Sequence, residues 1–470
     1  MTTTPADHLI EDKMRAAGVG GPTIRAYLGA VHRVRTGERG LVPEAWIDAV
    51  ESLPRVDELS AAGGSDAAPL LKQLVVVKLN GGLGTSMGLD RTKSLIVVKG
   101  VDTFLDFVAR QILHLRGGGR QREPAFYLMN SFSTRKDTLD YLRKYPDLGE
   151  DGPLDFLQNM VPKIDARTFE PISWPAQPDL EWCPPGHGDI YPALLASGLL
   201  ERLLQRGIKH CFVSNSDNLG ATVDLKVLRY FAESGFSFLM EVAERTAADR
   251  KGGHLARGKS NGRLLLRESA QTPKEDEARF QDIVRHRYFN TNNLWLRLDH
   301  LQAELERYGG ALPLPLITNS KTVDPRDANS PKVLQLESAM GAAIECFERT
   351  GALVVPRSRF APVKTTSDLL ALRSDAYRVT DEHQLVLAEA RQGRPPLVDL
   401  DARHYKILAD FERAFAAGLP SLVDCEALKV TGPVRFQAGV VCQGKVEFAN
   451  AAPHPGIVAA GTYRDVHVQL

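Results

Sequence analysis

Lys78-Leu79-Asn80-Gly81-Gly82-Leu83-Gly84-Thr85-Ser86-Met87-Gly88, with Lys93-Ser94 after it, follows directly on a strand-like apolar run. Four glycines within residues 81–88 let the backbone come close to a bulky anion and aim its N–H groups at it. A phosphate-bearing ligand suits this loop, and a tight turn is the alternative. It is not a Walker A motif, because no two of its glycines have four residues between them and Leu89 follows the last. It also lacks the dinucleotide fingerprint, since Met87 stands where a third glycine is needed after Gly82 and Gly84.

Three more segments have the composition of a ligand site. Trp182-Cys183-Pro184-Pro185-Gly186-His187-Gly188-Asp189 combines stiffening prolines with glycines that permit close approach, suited to reading the edge of a planar base or a sugar. A structural histidine in a rigid turn is the plain alternative. Ser214-Asn215-Ser216-Asp217-Asn218-Leu219-Gly220 follows a second strand-like run, so Asp217 is placed to hold Mg²⁺ through oxygen or to cap a helix. Arg357-Ser358-Arg359-Phe360-Ala361-Pro362-Val363-Lys364-Thr365-Thr366-Ser367-Asp368 sets three cations near a proline and ahead of a capped helix. It suits closure over a polyphosphate, or else is solvated surface.

Positioning these segments requires a sheet. Leu74–Val77, Leu95–Val98, Ala125–Met129, Ile208–Val213 and Phe236–Val242 read as strands, alternating with helices over Thr103–Arg116, Ala193–Gln205 and Leu225–Glu233. This alternation predicts an α/β domain with a mostly parallel sheet covered by helices on both faces, binding ligands at the carboxyl ends of its strands. Ahead of it, residues 1–70 read as short amphipathic helices ending in a small-residue linker, Ser60–Ala68. Behind it, Asp401–Gly418 reads as one linking helix. Leu422, Leu428, Val434, Val440 and Val446 then recur every six residues, with Phe436, Cys442 and Phe448 at the same interval and Gly432 and Gly444 twelve apart. That period predicts a hexapeptide β-helix, with a plain hairpin or meander as the alternative. The expected domains are 1–70, a catalytic 71–385, and 386–470 holding the linking helix and the β-helix.

The 470 residues carry 58 basic and 58 acidic side chains, so no general basic field exists to attract nucleic acid or a membrane surface. No apolar run approaches the ~20 residues of a membrane span, and the amino terminus does not read as a secretory signal. Cys183, Cys211, Cys346, Cys425 and Cys442 are scattered without CxxC spacing, as expected of buried, reduced thiols in a cytoplasmic protein.

Taken together the motifs resemble the eukaryotic-type UTP:glucose-1-phosphate uridylyltransferases, or UDP-glucose pyrophosphorylases, within the UDP-sugar pyrophosphorylase family. LNGGLGTSMG with Lys93, PPGHGDIY, SNSDNLGA, MEVAERTAADRKGG, FNTNNLW, QLESAMGAA and RSRFAPVKTTSDLL follow the family's order, and the likeness runs on to LKVTGPVRFQAGVVCQGKVEF. The resemblance implies a glycosyltransferase A-type mixed sheet with helices on both faces and a small left-handed β-helix at the carboxyl end. It implies UTP and glucose 1-phosphate as substrates and Mg²⁺ on Asp217. Leu79, Asn80, Gly81, Gly82, Lys93, Gln158, Gly186, Asp217 and Lys364 match the family's UTP positions. Gly81, Gly82, His187, Asn215, Ser216, Asp217, Glu268 and Asn292 match its sugar-phosphate positions, and Lys364 and Lys93 its catalytic cations.

Departures remain: Leu89-Asp90-Arg91-Thr92 puts an acid near the loop, Ser216 stands where a larger aliphatic is common, and the motif around Gln158 is loose. The β-helix also reads as short, which weakens any inference of a homo-oligomer built through it. Rival readings are a pyrophosphorylase for galactose 1-phosphate or an N-acetylhexosamine 1-phosphate, a non-catalytic nucleotide-sugar sensor, and a glycosyltransferase using Asp399-Leu400-Asp401 as its DxD motif.

Overall fold

The computed structural model describes residues 4–59, 68–118, 122–149, 152–246 and 249–470; most of the expected linker, 60–67, lies outside them. A ten-stranded sheet organises the chain. In chain order its strands are β1 Ile47–Ala49, β2 Leu74–Asn80, β3 Ala125–Asn130, β4 Asp155–Leu157, β5 His210–Asn215, β6 Phe238–Glu244, β7 His254–Gly258, β8 Leu264–Arg267, β9 Tyr288–Arg297 and β10 Thr350–Val354. The bonded order is β1-β7-β9-β5-β2-β3-β4, with β6 pairing β9 and β10, and β8 pairing β7.

Every residue of β2 and β3 is buried, as a strand covered on both faces must be. Alternate side chains of β2 serve two cores: Leu74 and Val76 pack among Phe104, Phe107, Val108 and Ile112, while Val75 and Val77 join Leu194, Leu200 and Leu203. Burying each such side chain contributes about 1.5–3 kcal/mol before the entropy of ordering is subtracted. The helix Phe104–Leu115 begins where the sequence predicts, because Thr103 accepts from Asp106 N–H and Asp106 reaches back to Thr103 N–H in a capping box.

The sheet is mixed rather than mostly parallel. β5, β2, β3 and β4 are parallel neighbours, and so are β6 and β10, but β9 runs antiparallel to both β5 and β6. Between β6 and β9 the chain forms the β7–β8 hairpin instead of a helical crossover, and a parallel return needs such a crossover. Three other expectations are corrected. Leu95–Val98 is no central strand: Lys93–Leu95 is a 3₁₀ turn, and Val97–Lys99 forms a two-strand hairpin closed at Gly100, whose φ is 58°. Ala193–Gln205 is two helices, Ile190–Ala196 and Leu199–Gln205, broken by Gly198 in the left-handed region. The linking helix is likewise two, Ala402–Tyr405 and Leu408–Ala414.

Ahead of β1, helices Pro5–Ala16 and Gly21–Arg35 pack on Val161, Ile164, Leu316 and Leu336. β1 joins the central sheet at its edge beside β7. Buried Glu44 fastens this stretch by pairing with Arg267 at 2.6 Å and Arg285 at 2.7 Å.

At the carboxyl end, Leu397–Leu400, Ser421–Thr431, Val440–Ala449 and Gly461–Gln469 form a sheet in that order, every pair parallel. Val434–Phe436 and Gly456–Val458 make a second parallel pair. Leu428 lies opposite Val446, 18 residues on, and Val446 opposite Val466, 20 on. The six-residue series is buried throughout. Parallel pairing at this spacing excludes the hairpin and meander, which pair antiparallel. All five cysteines are buried and unpaired, and among the described residues no helix is long and apolar enough to cross a membrane.

Candidate active site

The glycine loop and the Ser214–Gly220 segment meet because β2 and β5 are adjacent and parallel, with Leu79 opposite Asn215. Both therefore leave the sheet at the same edge, where open α/β sheets hold their ligands. Past β2 the chain folds back on itself: Gly84 N–H donates to the Arg91 carbonyl and Lys93 N–H to the Gly82 carbonyl, both at 3.2 Å. That return carries Lys93 over to Asp217, where its Nζ lies 2.5 Å from Oδ2. Asp90 and Arg91 are exposed.

Ser216 Oγ donates to Asn80 Oδ1 at 3.0 Å, and Asn80 Nδ2 donates to Asn130 Oδ1 and Thr138 Oγ1, each at 2.8 Å. Both side chains are buried in holding the two loops together, and the Ser216 N–H adds a bond to the Leu79 carbonyl at 3.0 Å. Gly81 and Gly82 differ. A Cβ on Gly81 would stand 2.7 Å from Gln158 Oε1, whereas Gly82 opens to solvent. Gln158 Nε2 in turn donates to the Gly186 carbonyl at 2.7 Å. Asp189 secures that contact by accepting from the N–H and Nδ2 of Asn159, at 2.6 and 3.0 Å. Burial pushes the Asp189 carboxyl up to about 7.

His187 receives the Met340 N–H on Nδ1 at 2.9 Å. Nδ1 is therefore an acceptor, and the ring proton sits on Nε2. Desolvation by the surrounding protein holds the imidazole down at about 4, so at neutral pH His187 is an uncharged Nε2–H donor. Its NMR shifts are expected to stay flat between pH 5.5 and 8; a transition near 6.5 would refute this assignment.

Met340 belongs to QLESAMGAA, whose Ser338 also exchanges hydrogen bonds with Pro185 and Gly188. Gly186 lies against it with φ 82°, and a Cβ there would stand 2.7 Å from Ser338 N. Sequence reasoning quoted this motif without giving it a role; in the structure it backs the histidine loop.

Asn292 sits on a bulge of β9, where the register against β6 shifts between Glu241 and Val242. Its φ of 58° is stabilised by mutual bonds with Asn290, both 2.9 Å. Glu268 lies over Gly253, where a Cβ would approach Oε2 to 2.5 Å. Burial raises its carboxyl, and the charge of Lys364 opposes that shift. Lys364 itself is exposed, its N–H held by Asp368 Oδ2 at 2.8 Å just before the capped helix Thr366–Arg373.

Two buried ionisable groups lie in motifs that the sequence reading quoted without giving them a role. Glu241 in β6 is wholly buried and accepts from Arg359 at 2.7 and 2.8 Å and from Trp295 and Asn293. Lys78 in β2 donates to Ser214 Oγ at 2.8 Å and the Ala221 carbonyl at 2.6 Å. Burial, with Arg359 nearby, pulls its ammonium down to about 7 from 10.5. An unfolded chain keeps that proton up to about 10.5, so the folded state's penalty is full below pH 7 and fades as pH rises toward 10.5. Relative to Lys78→Met, the wild type should therefore gain up to ~1.4 kcal/mol per pH unit over that window. Urea melts of the two proteins with parallel stability–pH curves would refute this.

Among the described residues no group of three or more His, Cys, Asp or Glu is arranged to hold a metal. A lone carboxylate such as Asp217 does fit Mg²⁺ bound mainly by polyphosphate and water rather than by a protein cage. Asp401 of the DxD rival caps the helix Ala402–Tyr405 by accepting from Arg403 N–H.

The family model described as UTP--glucose-1-phosphate uridylyltransferase matches residues 42–443. UTP--glucose-1-phosphate uridylyltransferase of Solanum tuberosum is 43% identical over 387 residues, covering 82% of this chain and 78% of that protein. The Saccharomyces cerevisiae enzyme of the same name is 42% identical over 378 residues, 80% and 74% respectively. A mutant UDP-glucose pyrophosphorylase from Leishmania major, solved in complex with UDP-glucose, superposes with a TM-score of 0.94 at 47% identity over 100% of both chains. A fold with these loops at one sheet edge, matched in sequence from residue 42 to 443 and in structure over its full length, leads to one assignment: the chain belongs to the UTP--glucose-1-phosphate uridylyltransferase family.

Proposed function

We propose that the protein transfers UMP from UTP to glucose 1-phosphate, giving UDP-glucose and pyrophosphate. The observation that carries the proposal is the meeting of the glycine loop, the Lys93–Asp217 pair and the neutral His187 donor on the loops at one edge of the sheet. The sugar phosphate is already ionised at neutral pH, so no protein nucleophile is needed to attack the α-phosphorus. Catalysis then consists of alignment and charge neutralisation.

In this reading Gln158 and Gly186, already bonded to one another, meet the uracil. The main chain of Leu79, Asn80, Gly81 and Gly82 receives the phosphates. His187 donates through Nε2 to the sugar phosphate beside Asn215 and Ser216, and Glu268 and Asn292 take the glucose hydroxyls. Lys93 and Lys364 neutralise the transferring phosphoryl group. Mg²⁺, carried on Asp217, would supply further charge neutralisation to the polyphosphate. Lys93 then has to exchange the Asp217 carboxylate for a phosphate oxygen.

We further infer a catalytic unit over 71–385, to which the amino-terminal segment adds the edge strand β1, and a left-handed β-helix within 386–470, a reading supported by the parallel rungs about 18 residues apart. The unpaired thiols suit a reducing, cytoplasmic setting. The test is pyrophosphate release from UTP with a panel of sugar 1-phosphates, with and without Mg²⁺. Release is expected with glucose 1-phosphate and abolished by chelation. Preference for another sugar would overturn the substrate, and no sugar-dependent release would favour a sensor.

A further inference from the structure

The three segments that carry Asp217, Asn292 and Lys364 come from distant parts of the chain, yet the residues beside them share one buried knot. Asn218, next to Asp217, is fully engaged: Nδ2 donates to the Arg359 carbonyl at 3.1 Å and to Asn293 Oδ1 at 3.3 Å, and Oδ1 accepts from Ala361 N–H at 3.0 Å. Asn218 also forms an isolated bridge with Pro362, two residues before Lys364. Asn293, next to Asn292, donates to the same Arg359 carbonyl and to Glu241. Arg359 cannot drift, since Glu241 grips its guanidinium twice and the Thr222 carbonyl accepts a third bond.

We infer, on the basis of the reading above, that Asn218 is a positioning residue that sets the register between the Asp217 strand end and the Lys364 segment. Among the described residues its amide is the one side chain that bonds both the Arg359 carbonyl and the Ala361 N–H, so it spans the turn just ahead of Lys364. An apolar residue of similar size fills the space but leaves the part-buried Ala361 N–H without its partner and the Arg359 carbonyl with only the 3.3 Å bond from Asn293 Nδ2, which loosens the segment from the strand end. Displacing a transition-state cation by about 1 Å is enough to cost up to about 10²-fold in rate.

The experiment is a double-mutant cycle on the full-length protein with UTP, glucose 1-phosphate and Mg²⁺. Asn218→Ala is expected to lower kcat by 10- to 100-fold, on the scale of such misplacement, with KM for both substrates within threefold. In a Lys364→Ala background the same change should cost less than threefold, because its effect runs through Lys364. Additive losses would mean a general structural role and overturn the inference, as would a wild-type kcat for Asn218→Ala. Inactive wild-type protein would instead count against the proposed reaction. Should Asn218→Ala fail to fold, hydrogen exchange on the wild type decides: the Ala361 amide should exchange at least 100-fold more slowly than an exposed loop amide, and fast exchange there overturns the inference.

Discussion

Lys364→Ala is expected to lower kcat by about 10²-fold or more, the usual scale for removing one donor aimed at transition-state charge. The side chain is exposed, while its backbone is anchored by Asp368 and by the capping box of the helix that follows. Truncation therefore deletes a charge without disturbing a core, and Tm should stay within about 2 °C, as for a surface change. Lys364→Arg keeps the charge but brings a broad planar group in place of a compact one, and should recover only part of the rate. Steady-state kinetics decide this: a Lys364→Ala protein within threefold of wild type would end the assignment of Lys364 as a transition-state cation.

Glu241→Ala should produce the largest loss of stability, about 3–5 kcal/mol, because it strands the buried Arg359 guanidinium. It also removes the acceptor of Trp295 Nε1 and Asn293 Nδ2. Replacing both charges together, as Glu241→Leu with Arg359→Met, should restore most of that stability, since an apolar pair of similar volume often replaces a buried ion pair at little cost. Activity should not return with it, because the double variant lacks the guanidinium bonds that tie the 357–359 turn to β6 and to the Thr222 carbonyl. Urea denaturation with parallel rate measurements tests both points, and a Glu241→Ala protein destabilised by less than about 1 kcal/mol would contradict the role given to the pair.

Much of the fold was legible in the chain itself. The apolar run of β2 and the helical spacing from Phe104 to Leu115 express local rules of period, and both elements formed where those rules put them, while the six-residue apolar series is buried on parallel strands. Errors fell where a break or direction depended on context. Gly198 divides an otherwise continuous helical pattern by adopting a left-handed conformation, and β9 is antiparallel because of what lies between it and β6 rather than because of its own residues.

By itself the sequence determined what chemistry was on offer: a glycine loop permissive of anions, a carboxylate after a strand, and a lysine ahead of a capped helix. Tertiary structure alone decided which groups are free to perform it. The Asn80 and Ser216 side chains are committed to one another across β2 and β5. His187 has its tautomer set by Met340, 153 residues away, and Glu241 meets Arg359 across 118. Hydrogen bonds between such distant positions leave no periodic trace in a sequence, because they depend on which strands become neighbours and in what register. The physics of a single segment sets its conformation, whereas partner choice and protonation follow from desolvation and geometry that exist only once the sheet has assembled.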